Sequence, residues 1–139
     1  MKVTVTRQNK KLWFKAENEK GNEAHIDGPE QNGGKGRGMR PMEMLLASFA
    51  GCAAFDFALI LEKQKLNPDH VAVEISGERE TIGQVTPFTK IDLVFRVAGD
   101  IPQNKAKRAA KLAVEKYCSV QASLHPDISI RHTVEILNN

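Results

Sequence analysis

Two cysteines, Cys52 and Cys118, are the residues of this 139-residue chain best suited to do chemistry. Each lies in or at the end of a segment that reads as a buried helix. Cys52 falls within Pro41–Phe57, and Cys118 closes a run through Val114–Val120. The thiolate is the reactive form of cysteine, so reactivity requires a lowered pKa. Two cysteines on separate helices can meet in space. There one can attack a peroxide and the other can close a disulfide. The same residues also suit a core, because free cysteine is among the most buried residue types. On local chemistry alone both readings stay open.

The neighbours of Cys52 are small: Ala47, Ser48, Ala50, Gly51, Ala53 and Ala54. Such residues let another backbone approach closely, or leave room for a substrate. Cys52 is far from its helix N-terminus, so the helix dipole gives its thiolate little help. A reactive Cys52 needs a cation from elsewhere. Arg37, Arg40 and Arg79 are candidates, and all three can equally be solvated surface charges.

Other motifs carry less. Five glycines within Gly28–Gly38 read as a mobile loop. A P-loop needs Gly-Lys followed by Ser or Thr, whereas Lys35 here is followed by Gly36. His25, His70, His125 and His132 fall in no metal-ligand spacing, so neither a metal nor a cofactor is expected. No Gly-x-Ser-x-Gly elbow is present. Trp13 and Phe14 read as strand aromatics packing in a core.

The length suits one domain, 1–139, able to bury a sizeable core without disulfide staples. Twenty Lys and Arg stand against 17 Asp and Glu, and a net charge of +3 is too small to suggest a nucleic-acid partner. The N-terminus lacks the apolar stretch of a signal peptide. With two cysteines, the reducing cytoplasm is the expected compartment, and a permanent disulfide is not expected. Met44–Leu61 approaches the length of a membrane span but contains Asp56, which is expensive in lipid. No membrane role is expected. A helix covered on most sides is the better account.

These residues must be positioned by strands and helices in the order βββ-α-ββ-α-β. Strands are predicted at Val3–Arg7, Leu12–Ala16 and Glu23–Asp27, then Val71–Thr81, Lys90–Val97 and Asp127–Leu137. A helix opens at Pro41 and runs to about Lys65, where Asn67-Pro68 stops it. A second opens at Pro102. Separated strands and helices without regular βαβ alternation predict an α+β fold.

Pro41-Met42-Glu43-Met44-Leu45-Leu46-Ala47, then Gly51-Cys52, then Glu115-Lys116-Tyr117-Cys118-Ser119-Val120 resemble the OsmC/Ohr family, as does the element order over nearly the whole chain. The resemblance implies an intertwined α+β homodimer with two central helices carrying the cysteines. It implies reduction of organic hydroperoxides at the expense of an external thiol reductant. Cys52 matches the peroxidatic cysteine and Cys118 the resolving one, which raises the reactive-pair reading above the core reading. Arg40, Glu43 and Arg79 are the supporting residues the sequence offers. Two departures stand out. The family's hydroperoxide reductases carry a Glu ten residues before the first cysteine, where this chain has Met42. Glu43 lies one residue later, about 180° around a continuous helix from Cys52 and roughly 13 Å along it. The family's Arg comes from the early strands, where this chain has Lys15 and Lys20. Lysine lacks the planar bidentate fork of a guanidinium. A small-molecule binding protein of the same fold, with little turnover, is the alternative these departures favour.

Overall fold

The alternating N-terminal residues form three short strands in the computed structural model, which describes residues 1–138. β1 (Val3–Arg7), β2 (Phe14–Asn18) and β3 (Glu23–Ile26) make an antiparallel sheet in sequence order. β2 starts two residues later than Leu12 because Asn9 holds the preceding turn. Its side-chain oxygen accepts from the N–H groups of Lys11 and Trp13, at 2.9 and 3.3 Å. Arg7 adds bonds to the carbonyls of Lys10 and Lys11.

These strands lie in the first of two compact units, Met1–Leu45 and Leu46–Asn139. The glycine-rich segment that follows β3 is tied down rather than slack. Asp27, 3% exposed, accepts hydrogen bonds from the backbone N–H groups of Gly28, Lys35 and Arg37. Those bonds, with the one from Lys35 foremost, hold its carboxyl below the ordinary 3.8. The glycines are steric necessities at the closest approaches. A Cβ on Gly34 would run into the carbonyl of Gly28, and one on Gly38 into the carbonyl of His25.

α1 (Pro41–Lys63) begins where Pro41 can take the first helical position. Glu43 reaches back to the N–H of Arg40 at 3.0 Å, one half of a capping box. The helix ends at Lys63. Lys65 then takes a left-handed φ of 60°, while the N–H of Leu66 reaches the carbonyl of Leu61. One stripe of α1 is fully buried: Phe49, Ala53, Phe57 and Leu61, at four-residue spacing. The rest of this apolar helix is only partly covered within the chain, less than the cover on most sides that the sequence predicts. Phe55 is 74% and Leu59 51% exposed. By length and composition alone α1 is long and apolar enough to cross a membrane.

β4 (His70–Arg79), β5 (Phe88–Ala98) and β6 (Ser129–Leu137) form the second sheet, with β5 central. β4 pairs antiparallel with β5, and β6 pairs parallel with it. The parallel pair requires a crossover, which α2 (Gln103–Leu112) supplies. Ile91, Leu93, Phe95 and Val97 alternate into the core from β5. Phe95 meets Phe57 of α1 with ring centroids 4.9 Å apart. On the other face, charges pair in register: Glu78 with Lys90, Asp92 with Arg131 and Arg96 with Glu135. The α+β prediction and the element order are as the sequence indicates. The second helix is the exception, because it does not run on smoothly to Val120.

Phe95→Ala removes a fully buried ring and is expected to cost about 3–5 kcal/mol in urea unfolding. Lys65→Gly relieves a left-handed backbone and is expected to raise stability by about 1 kcal/mol. An unchanged or lower midpoint would show that Lys65 is unstrained.

Candidate functional site

The two thiols meet because α2 is interrupted. After Leu112 the chain widens into a π-helical turn, Ala113–Tyr117. Such bulges absorb one extra residue per turn and recur at functional sites. Cys118 then leaves helical geometry, with φ −75° and ψ 106°, and caps a further short helix, α3 (Ser119–Ala122). Its sulfur accepts from the N–H of Gln121 at 3.3 Å. The extended backbone at Cys118 turns its side chain inward, where it is 3% exposed.

Cys52 is half-buried on α1, beside the buried stripe. The Cys52 sulfur is near enough to bear on the ionisation of Cys118. Burial above all pushes the Cys118 thiol up to about 11; the hydrogen bond from the Gln121 amide opposes it, the Cys52 sulfur adds to it, and the Val120 amide opposes it slightly. Cys118 therefore keeps its proton near neutral pH. Both cysteines are free.

Below Cys52, Asp56, Leu59, Ile60 and Lys63 recur at helical spacing along one side of α1. They form one wall of a cleft of about 600 Å³. Arg108, Leu112 and Tyr117 are on the facing wall. Tyr117 precedes Cys118, so the cleft adjoins the residue that carries the second thiol.

The supporting residues are placed elsewhere in the chain's bonding. Arg40 and Glu43 make the cap of α1. Arg79 donates from Nε to the carbonyl of Thr86 at 2.7 Å and fastens the β4–β5 connection. Arg37 lies over the Trp13 ring, 4.7 Å from its centroid. Trp13 in turn donates from Nε1 to His25 Nδ1 at 3.1 Å, so it serves a polar cluster beside the sheet rather than a core. Among the described residues no three His, Cys, Asp or Glu side chains gather as a metal site. Two features escaped the sequence reading. The π-helical turn has no local signature. Asp27 had one, an aspartate directly ahead of a glycine-rich run whose N–H groups are accessible.

The OsmC-like protein family model matches residues 33–133, which include both cysteines. The chain belongs to the OsmC-like family. Protein YhfA of Escherichia coli is 35% identical over 129 residues, 91% of each chain. The fold is shared with a hypothetical protein from Aquifex aeolicus, at 24% identity and TM-score 0.79, covering 99% of this chain and 97% of that one. It is shared too with an organic hydroperoxide resistance protein OsmC from Legionella pneumophila, at 17% identity and TM-score 0.73, covering 96% of each chain.

The thiol pair of this OsmC-like protein has a measurable signature. In Cys52→Ala the Cys118 thiolate is expected to appear at lower pH than about 11, because one neighbour that holds its proton is gone while burial remains. Thiolate absorbance against pH reads this. In the parent protein the raised value favours the folded state below the ordinary 9.0, and that gain is lost as pH rises through about 11. An unchanged Cys118 titration in the variant would separate the two sulfurs.

Proposed function

We propose that this OsmC-like protein is a thiol-dependent peroxidase that reduces organic hydroperoxides through Cys52 and Cys118. The observation that carries the reading is the interacting thiol pair, in which the deeper sulfur keeps its proton beside the more accessible one. Cys52 thiolate attacks the peroxide O–O bond. The bond breaks, the sulfur gains one oxygen as sulfenic acid, and the alcohol leaves after taking up a proton. Cys118 then condenses with the sulfenic acid, forming the disulfide and releasing water. The first step removes the negative charge on Cys52. That charge is one of the causes that hold the Cys118 proton. Oxidation of Cys52 thus eases deprotonation of Cys118 at the moment its sulfur is needed. An external thiol, available in a reducing cytoplasm, reopens the disulfide.

The working form in this proposal is a homodimer. A second copy covers the apolar side of α1 that bears Phe55 and Leu59, both left exposed in one chain. The alternative is a binding protein of the same fold with little turnover. It is favoured by Met42 in place of the family's Glu and by an Arg37 guanidinium already engaged on Trp13.

One equivalent of an organic hydroperoxide is expected to give a two-proton mass loss within a single chain. Cys118→Ser should stop at sulfenic acid and over-oxidise on repeated exposure, and Cys52→Ser should not react. Retention of both thiols would instead establish the binding reading. Sedimentation is expected to give twice the 15.4 kDa chain mass, with Phe55→Asp shifted toward monomer. A monomeric parent protein at micromolar concentration would end the dimer proposal.

A further inference from the structure

One polar cluster takes no part in the chemistry above. It gathers around Trp13 and His25 in the unit Met1–Leu45. The backbone at both residues is fixed. The N–H of Trp13 is held by Asn9, and its carbonyl accepts from the N–H of Gln8 at 2.8 Å. His25 is a residue of β3, and its carbonyl accepts from the N–H of Met39 at 3.1 Å. The side chains are what remains free to move. The Trp13 indole donates to His25 Nδ1 at 3.1 Å, and the Arg37 guanidinium lies 4.7 Å from the centroid of the Trp13 ring. Arg37 is thus held by Trp13, and Trp13 by His25.

An indole nitrogen donates and never accepts, so the His25 nitrogen that takes its bond must be unprotonated. A protonated imidazole donates from both nitrogens. Two donors would then face each other, and the bond is lost. The same proton places a positive charge on a ring whose centroid is 5.9 Å from a Trp13 ring that Arg37 already covers. Like charges on two sides of one indole repel. The surrounding charges favour the change. His25 Nε2 lies 3.8 Å from Glu23, which draws the imidazolium away from Trp13. Lys15, opposite His25 in register on β2, is itself taken up by Glu17 and Glu23 at 3.6 and 3.4 Å. The His25 side chain is 38% exposed, so protons reach it from solvent.

Asp27 separates these side chains from the backbone that carries Arg37. It accepts from the N–H groups of Lys35 and Arg37. Its carboxyl is held below the ordinary 3.8 chiefly by those bonds, and the Arg37 charge is the smallest of the causes. It therefore stays ionised in mild acid and keeps the segment clamped even when the guanidinium leaves. We propose that His25 is a proton-operated latch on Arg37. With His25 neutral, the indole bond fixes Trp13 and the Trp13 ring fixes the guanidinium. With one solvent proton bound to His25, the bond is lost and both side chains are released, while the backbone stays in place. Histidine changes charge between about pH 5 and pH 8, so the latch answers to mild acidification. What it frees is a guanidinium that the neutral protein keeps occupied on an aromatic face. Every group in it lies in Met1–Leu45, so it stands independently of the thiol chemistry.

Nuclear magnetic resonance of the full chain, titrated from about pH 8 to about pH 5, tests this. The chain has one tryptophan and so one indole N–H resonance. As pH falls it is expected to move upfield and exchange faster with water, on the same curve as the His25 ring carbons. The Arg37 side-chain protons, shielded by the indole ring at high pH, are expected to lose that shielding on the same curve. The backbone N–H resonances of Lys35 and Arg37 should stay protected throughout. In His25→Gln the side-chain oxygen can accept at every pH, so the indole and Arg37 resonances should keep their high-pH positions. An indole resonance that stays still while His25 titrates overturns the latch. So does an indole shift that persists in His25→Gln, which would assign the titration to another group. Arg37 protons that remain shielded after the indole bond is lost overturn it as well. Loss of protection at Lys35 and Arg37 on the same curve would mean that the segment melts, and would also end it. The indole and His25 curves are compared in the parent protein, so the outcome does not hang on the variant folding.

Discussion

The contact of Phe57 with Phe95 fixes where everything chemical in the larger unit can be. It locks the buried stripe of α1 onto the central strand β5, and with it the rotation of α1 about its own axis. Cys52 follows Phe49 by three residues and precedes Ala53, so that rotation sets it at the margin of the buried stripe. A helix turned by one residue would move Cys52 about 100° around the axis, toward solvent or into the core. The deeper thiol is positioned by a different means. Its backbone must leave the helix at one residue, and the π-helical turn followed by an extended Cys118 accomplishes that. A regular helix and an interrupted one together bring two sulfurs within reach, though 66 positions of sequence number separate residue 52 from residue 118.

The chemistry proposed for the pair depends on their inequality. Two thiols in identical surroundings would compete for the same proton. Here one is nearly enclosed and the other is not, and enclosure disfavours the charged form. The order of events then follows from desolvation, without a metal or a strong local base. What the chain lacks is an arginine between Arg7 and Arg37, and the cations it does offer have other bonds to make. Arg79 and Arg37 illustrate the point, each held by a carbonyl or an aromatic face.

Much of this was legible in the sequence, and the reason differs from element to element. β6 alternates, and β5 sends Ile91, Leu93, Phe95 and Val97 to one side, as a strand with one face on a core must; β1 alternates in sequence alone, since all five of its residues are exposed. The start of α1 was legible from Pro41, a local signal, whereas the Glu43 cap that secures it shows only in the structure. The misplaced start of β2 reflects Asn9, whose side chain competes with the ladder for backbone N–H groups. The interruption of α2 was not legible, because good helix-forming residues run through Ala113–Tyr117 and tertiary packing overrides them. The exposure of Phe55 and Leu59 was equally hidden. Composition marks α1 as apolar all round, but only coordinates show which side its own chain leaves bare.

Trp13 is the single tryptophan of the chain, and it lies in the unit Met1–Leu45, bonded to His25 and covered by Arg37. Its emission therefore originates in one unit alone, whereas far-ultraviolet circular dichroism is dominated by the long helix and the larger sheet. The protein thus carries a built-in spectroscopic division between its parts. Coincident curves from the two signals during denaturation would mean that the small sheet melts with the rest as one cooperative body. Curves that separate would resolve the small sheet as an independently melting layer.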